Sequence, residues 1–361
     1  MTYGTVNADV ISTSTSGGVL GAGNASLLKN RLINGAMVIN QRGTVNTPVT
    51  PTARGYFASD RWLVSVTTAS KFSIQQSSDA PTGFTNSLLV TSLSAYTPTS
   101  TDEIAVQYRI EGYNVADLGF GSASAKTVTI SFLVKSSVTG TYGASLSNGA
   151  FNRWYPFSYS IPVANTWTQI SVTIVGDTTG TWTTDNTTGF QIEFGLGVGS
   201  TLQGAAGAWT SSVYVVPTGS SNIVSTNGGT IQWTGVQLEV GSSATGFEYR
   251  QIQQELALCQ RYLPVVQVAD YSGTGMCFGA SNARCTVQFP VPARVAPTGF
   301  TTTGAISMTQ SNGGGTGSIV WANASTLMAS ISATGLSGLT AGNATALIGS
   351  PNSILFTGCE L

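Results

Sequence analysis

The sequence lacks histidine altogether. This absence excludes Ser-His-Asp and Cys-His catalysis as well as the zinc sites that depend on histidine. No glycine-rich nucleotide-binding motif follows a strand and opens a helix. We therefore expect a protein that is not an enzyme and that uses no metal or other cofactor.

Charge is scarce as well. Charged residues make up 8% of the 361 residues, against roughly 25% in an average soluble domain. Fourteen basic and fifteen acidic residues leave a net charge of −1, which gives no electrostatic basis for nucleic-acid binding. The surface must instead consist of Ser, Thr, Asn, Gln and Gly, a composition common on β-rich extracellular and virion proteins and suited to glycan contact.

Long hydrophobic runs are missing too. No stretch of about 18 apolar residues occurs, so we expect no membrane insertion. The N-terminus shows no basic stretch followed by an apolar core, so no secretory signal is indicated. An outward-facing composition without an export signal favours a protein that is assembled in the cytoplasm and released by lysis.

Cysteine is absent from the first 258 residues and occurs four times after them, at Cys259, Cys277, Cys285 and Cys359. No CxxC spacing is present. We expect small buried apolar side chains. A disulfide between Cys277 and Cys285 across a hairpin is the alternative, although a chain this long does not need one.

What the sequence has in abundance is β-type alternation. About ten short runs between residue 31 and residue 240 are bounded by turn residues. In the clearest run, Val128, Ile130, Phe132 and Val134 recur at every second position. This period is typical of a strand with one buried face, and ten such strands predict an all-β fold, an antiparallel jelly-roll sandwich.

The period changes near residue 250. Ile252, Leu256, Cys259 and Leu263 are spaced as one stripe of a short helix, which Pro264 ends. The stripe needs a partner surface, either the sandwich or the same helix in other subunits.

The final block is free of charge from Val295 to Cys359 and contains five short β-type runs. A charge-free surface favours association, so we expect symmetric assembly through part of it. The predicted organisation is an N-terminal attachment arm over 1–30, a sandwich over 31–245, a linker helix over 246–263 and a small C-terminal β domain over 264–361.

Carboxylates offer little chemistry. A glycoside hydrolase needs a pair of them, but Asp102 and Glu103 are adjacent on a strand and point to opposite faces. Asp177 and Asp185 lie in Thr/Gly turns, where Asp usually caps its own backbone. A calcium ion held by one of these two is a further alternative. Glu193 completes the set of candidates. We predict no catalytic and no metal-binding residues.

Aromatic residues are the better candidates for binding. Sugar rings stack on aromatic side chains while their hydroxyls take hydrogen bonds from polar neighbours. The candidates for glycan contact are Trp182 and Trp209, which we expect to be exposed near loops, together with Tyr271 and Trp321 in the final block. The alternative for each ring is that it fills space between the sheets.

Ten short sequence words occur in order over roughly residues 30–263: NRLINGAMVINQRG (30–43), DRW (60–62), IEG (110–112), DLG (117–119), AKTVTISF (125–132), ANTW (164–167), FGLG (194–197), GVQLEVG (235–241), FEYR (247–250) and ELALCQRY (255–262). Together they resemble a sandwich module of tailed-bacteriophage structural proteins. Such proteins are tail fibres, receptor-binding proteins or other virion components, and their sandwich is related to carbohydrate-binding modules. No catalytic residues belong to the pattern.

The resemblance implies a function. We expect a homotrimeric tail-fibre subunit of the phage virion, whose N-terminal arm docks on other virion proteins and whose distal part binds host-surface polysaccharide during adsorption. The alternative is a purely structural virion component, such as a capsid decoration or connector protein. A polysaccharide-degrading spike is a third possibility, which the missing histidines and the lack of a long repeat disfavour.

Overall fold

The computed structural model describes residues 10–12, 19–21, 28–269, 271–310, 317–349 and 351–361. The chain forms two compact units, residues 1–250 and residues 251–361. Strands of the first unit are β1 (Val10–Ser12), β2 (Val19–Gly21), β3 (Gly55–Tyr56), β4 (Trp62–Val66), β5 (Phe72–Ser77), β6 (Ser87–Ser92), β7 (Glu103–Glu111), β8 (Val128–Ser136), β9 (Gly140–Asn148), β10 (Trp154–Ile161), β11 (Thr168–Ile174), β12 (Thr188–Val198), β13 (Gln203–Gly204), β14 (Val216–Pro217) and β15 (Thr230–Val240).

The first unit is an antiparallel β-sandwich, as predicted. One sheet has the order β10-β9-β12-β7-β4-β3, and the other has the order β11-β8-β15-β6-β5. The chain crosses repeatedly from one sheet to the other, which closes a single core between them. Large aromatic side chains fill that core: Phe194 is fully buried, and its ring lies 5.2 Å from Phe132 and 5.5 Å from Trp233, measured between ring centroids.

Most predicted strands are observed, and one is wrong. One of the ten short runs that predicted strands, Ser211–Val216, contains strand structure only at its end, where β14 begins. The run crosses the face of a sheet instead of forming one of its strands. Val215 and Val216 are buried there with Trp154, which accounts for the apolar sequence. Strand β9 was missed because its sequence is rich in Gly and Ser.

The opening word of the resemblance (30–43) and the word FEYR (247–250) meet at one seam of the sandwich. Glu248 accepts hydrogen bonds from the backbone N–H groups of Leu28 and Asn30, at 2.9 and 2.7 Å. Arg250 donates to the carbonyls of Leu32 and Asn30. The seam therefore ties the start of the sandwich to its end, with side chains capping the backbone groups that a sheet edge would leave open.

Close backbone contact at the same seam requires a glycine. The Gly35 carbonyl accepts from the Val236 N–H at 2.9 Å. A Cβ atom on Gly35 would lie 2.1 Å from the Val236 carbonyl oxygen, far inside van der Waals contact. The opening and closing words thus contact each other in the folded protein, so their residues have a structural role.

The second unit is a small β domain with one helix. Its elements are α1 (Ile252–Gln260), β16 (Val265–Val268), β17 (Ser272–Cys277), β18 (Ala283–Gln288), β19 (Gly299–Thr302), β20 (Ser307–Gln310), β21 (Gly317–Ala324), β22 (Met328–Ala333), β23 (Ala344–Ile348) and β24 (Asn352–Thr357). Six strands form a closed barrel in the order β17-β18-β22-β21-β20-β23, and β16, β24 and β19 form a three-stranded sheet. Each of the five predicted runs overlaps an observed strand.

The predicted helix is confirmed in part. It begins at Ile252, and residues 246–250 form no helix; there Glu248 and Arg250 bind the backbone of residues 28–32 instead. Of the apolar stripe, Cys259 and Leu263 are buried, whereas Ile252 is 51% exposed. Within the described residues no helix is long and apolar enough to cross a membrane.

The predicted attachment arm, residues 1–30, lies outside the described residues except for β1, β2 and residues 28–30. Strands β1 and β2 pair with each other in antiparallel register. All four cysteines are buried thiols, as expected. Burial raises the pKa of Cys285 and of Cys359 to about 11, so both thiols favour the uncharged form.

Candidate functional site

Polar side chains cover the outer face of the six-stranded sheet. On β7, Ile104, Val106 and Tyr108 point into the core, and the intervening residues, Glu103 and Gln107 among them, lie on the opposite face. Strand β12 is antiparallel to β7 and places Glu193 opposite Gln107 and Gln191 opposite Arg109. The register therefore gathers carboxyl, amide and guanidinium groups from two central strands.

These side chains line a groove of about 200 Å³. We call it the outer-face groove; it is lined by Arg54, Glu103, Gln107, Arg109, Phe151, Trp154, Gln191, Glu193 and Val213. Ligand pockets for drug-sized molecules hold about 300–1,000 Å³, so this groove suits a smaller group such as one sugar ring.

A hydrogen-bond network holds the polar groups in place. Arg54 donates to the Gln107 Oε1 atom at 2.7 Å, and Gln107 donates to Glu103 at 3.2 Å. On the neighbouring strand, Arg109 donates to the Gln191 Oε1 atom at 2.9 Å, and Gln191 donates to Glu193 at 3.0 Å. Each of the two series of hydrogen bonds leads from a guanidinium group through an amide to a carboxyl group. Such networks fix side-chain orientation before a ligand arrives.

The carboxyl group of Glu193 is the most perturbed member. It is fully buried, and burial, together with the neighbouring Glu103 carboxylate, raises its pKa well above the ordinary value. Glu193 therefore favours the protonated, uncharged form. Its Oε1 atom has no hydrogen-bond donor among the described residues. A buried polar atom in this condition costs stability.

A backbone segment crosses the same face and limits the groove on one side. Val216 lies so close to β12 that a Cβ atom on Gly195 would sit 2.4 Å from it. Upstream on the segment, Thr210 exchanges two backbone hydrogen bonds with Trp154, and Val213 reaches the groove wall. The groove is thus bounded by an ordered segment as well as by the sheet.

We expect Glu193→Gln to stabilise the protein at alkaline pH. A group whose pKa is raised on folding contributes stability that is present below its unfolded pKa and lost as the pH rises. The glutamine removes that loss, so the variant should gain on the order of 1 kcal/mol at pH 8 and little at pH 4. Chemical unfolding at both pH values measures the difference. An equal effect at both pH values would contradict the assignment.

Two predicted contact residues lie together, and one of them is not exposed. Trp182 is only 9% exposed, so its predicted exposure is wrong. Its ring packs between Phe120 and Phe190, at 4.8 and 4.7 Å between centroids. Trp209 lies 5.3 Å from Trp182, is partly buried, and donates its indole N–H to the Val175 carbonyl. These rings close one end of the sandwich core.

The other two candidates lie in the second unit, apart from each other in the fold. Tyr271 is 68% exposed and precedes β17. Trp321 lies on β21 and is partly buried against Phe300 and Phe356, at 6.3 and 6.4 Å between centroids. Of the four predicted residues, Tyr271 presents the most open ring, and its glycan role stays a prediction.

The remaining carboxylates are occupied by structural partners. Asp102 accepts from Thr67, Thr99 and Tyr96, and these hydrogen bonds outweigh burial and lower its pKa. Asp177 pairs with Arg153, and Asp185 caps the backbone of its own turn. In the described part of the chain, no group of three or more Cys, Asp or Glu side chains is arranged to hold a metal ion.

Sequence reasoning considered Glu193 and Glu103 separately and missed that they share a site. The signal is visible in β7, where Glu103, Gln107 and Arg109 occupy odd-numbered positions and the even-numbered positions are Ile104, Val106, Tyr108 and Ile110. It is repeated by Gln191 and Glu193 on β12. Which of these residues are neighbours depends on the strand register, which one strand does not reveal.

Comparisons with known proteins give similarities of fold. No family model matches the chain, and a search of curated proteins gives no significant match. Among solved structures, the chain is similar to the enzymatically active domain of tailspike protein 4 from bacteriophage CBA120, with 14% identity, a TM-score of 0.33, and coverage of 59% of this chain and 22% of that one. It thus matches less than a quarter of the tailspike chain.

Two carbohydrate-binding structures are also similar. A family 11 carbohydrate-binding module from a Clostridium thermocellum cellulase has 15% identity and a TM-score of 0.29, with coverage of 55% of this chain and 99% of that one. The N-terminal cellulose-binding domain of Cellulomonas fimi β-1,4-glucanase C has 15% identity and a TM-score of 0.26, with coverage of 44% and 80%. The sandwich itself is defined by the sheet topology described above.

Proposed function

We propose that this chain is a virion protein of a tailed bacteriophage, most simply a tail-fibre subunit, that binds host-surface glycan through its sandwich and is not an enzyme. The observation that carries the binding function is the outer-face groove. There, polar groups from two strands converge beside Phe151 and Trp154, with Arg54 exposed and Glu103 and Arg109 partly exposed. Amide, carboxyl and guanidinium groups next to aromatic rings are the chemistry that recognises sugar hydroxyls.

The virion assignment is supported by the sequence words of the resemblance and by the low-charge surface. The opening word and the word FEYR lie at the seam that ties residues 28–32 to residues 245–250, which indicates that these words belong to the scaffold. The groove residues Arg54, Glu103, Gln191 and Glu193 lie outside the words. A scaffold with a separate groove suits a module that presents different binding surfaces on one frame.

We further propose a homotrimer, attached to other virion proteins by the N-terminal arm and released by lysis of the host. Assembly is supported by apolar side chains that the second unit exposes, including Tyr271, Met276 and Phe278, which are 68%, 47% and 59% exposed. Three weak sites on one particle would bind host cells far more tightly than one site, because each further contact is intramolecular.

Binding is tested on an array of bacterial surface polysaccharides with the purified full chain, after light scattering has measured its mass against three times 37.2 kDa. We expect retention on a subset of polysaccharides and a loss of about tenfold or more for Gln191→Ala, which removes two hydrogen bonds of the groove. The matched control is Gln288→Ala, since Gln288 is an exposed glutamine on a strand of the second unit.

A trimer that binds no polysaccharide would contradict the glycan function and favour the alternative, a capsid decoration or connector protein without receptor binding. Release of reducing sugar from a bound polysaccharide would show an enzyme and contradict the proposal in its non-catalytic part. A monomeric mass would contradict the proposed trimer. The glycan-binding role of the groove would still be decided by the polysaccharide array.

A further inference from the structure

The outer-face groove contains two guanidinium groups that lie within 4 Å of no carboxylate oxygen among the described residues. Arg54 is exposed beside the groove, and Arg109 is half-buried within it. Elsewhere on the described chain, basic residues such as Arg153 and Lys135 lie within 4 Å of a carboxylate oxygen. Neither Arg54 nor Arg109 does so, and each bonds an amide oxygen instead. Both retain N–H donors for a further partner, since a guanidinium carries five.

The two guanidinium groups are close enough to repel each other. Burial, with a contribution from the neighbouring Arg54, lowers the pKa of Arg109 to about 10. The Arg109 guanidinium also lies 5.0 Å from the centre of the Phe151 ring, which fixes its plane. A like-charged pair held in fixed positions costs energy that an anion placed between them would recover.

The carboxyl groups of the site do not fill that role. Glu193 is fully buried and favours its uncharged form, because burial and the neighbouring Glu103 carboxylate raise its pKa. Glu103 accepts hydrogen bonds from Ser65 and Gln107 on the side of the groove near β4. The groove therefore presents more positive than negative charge, together with uncharged donors.

We infer that the outer-face groove binds a carboxylate-bearing sugar, with the exposed Arg54 and the half-buried Arg109 holding the carboxylate. This inference rests on the proposed glycan function and names its ligand class. A planar carboxylate accepts paired hydrogen bonds from a guanidinium. The groove volume of about 200 Å³ accommodates one such sugar.

The test prints each bacterial polysaccharide in two forms, native and carboxyl-reduced, so that every uronic acid has its own neutral counterpart. We expect the wild-type chain to bind native acidic polysaccharides and to lose about 10- to 100-fold in affinity when the carboxylates are reduced, the range for charge-assisted hydrogen bonds. Arg54→Gln should cause a similar loss on the native form and no further loss on the reduced form.

The matched control is Arg284→Gln, which removes the same charge from an exposed position on β18 of the second unit. It should bind like the wild type, which distinguishes an effect of the groove from an effect of the net charge of the protein. Equal binding of native and reduced forms, or binding confined to neutral polysaccharides, overturns the acidic-sugar inference and leaves the glycan function standing. Binding to no polysaccharide overturns both. Far-ultraviolet circular dichroism confirms that each variant is folded.

Discussion

Arg153→Met is expected to lower the free energy of unfolding by about 3 kcal/mol, because it leaves the Asp177 carboxylate buried without its counter-charge. Asp177 is 3% exposed, and its two oxygens accept from the Arg153 Nε and Nη2 atoms at 2.6 and 3.0 Å. The backbone and hydroxyl of Thr179 also donate to Asp177, so the loss should fall at the lower end of the range for a broken buried pair.

Urea unfolding followed by tryptophan fluorescence measures this loss, since six of the seven tryptophans lie in residues 1–250. The control is Lys126→Met, which removes a half-exposed amine 3.8 Å from Asp117 and should cost less than about 1 kcal/mol. Adding Asp177→Asn to Arg153→Met should restore part of the lost stability by removing the uncompensated charge. A single variant as stable as the control would contradict the account, and a wild type that loses stability in a calcium chelator would restore the calcium alternative.

The structure shows why alternation predicted some parts of this fold well and others poorly. Strand β8 was visible because Val128, Ile130 and Phe132 all face one core, so its pattern reflects a single surface. The run Ser211–Val216 has similar apolar content but crosses the face of a sheet. Its Val215 and Val216 are apolar because they are buried against that sheet, although the run itself is not a strand. Local pattern reports that a residue is buried, whereas tertiary structure decides in which direction the chain runs.

The candidate site was harder to predict for the same reason. Trp182 lies between glycine and threonine residues, which suggested an exposed loop, but Phe120 and Phe190 arrive from other elements and cover it. The pairing of Glu193 with Glu103 depends on the register between β12 and β7. The polar residues of β7 and β12 alternate with apolar ones, as on a strand with one outward face. That this face is partly covered follows only from the segment that crosses it.

Glu248→Ala is expected to open the seam of the sandwich and to cost about 3 kcal/mol, since two backbone donors and a guanidinium lose their shared acceptor. Asn30 is 4% exposed, and its N–H donates to Glu248 at 2.7 Å, so this donor would be left buried without a partner. Arg250, 3.3 Å from Glu248, would lose the charge that balances it. Urea unfolding gives the size of the loss, and hydrogen exchange read by mass spectrometry gives its place.

The exchange measurement decides whether the seam acts as a unit. Residues 28–33 and 236–240 should lose protection together in Glu248→Ala, because Asn30 also bonds the backbone of Val236 and Leu238. Asp185→Ala is the control, since Asp185 is an exposed carboxylate that accepts hydrogen bonds from Thr187 in its own turn, and the change should leave exchange at both segments unchanged. If the two segments respond separately, residues 28–33 and residues 236–240 are each stabilised on their own. If they respond together, the seam stabilises the sandwich as one unit. The groove on the opposite sheet can then differ in sequence without destabilising the sandwich.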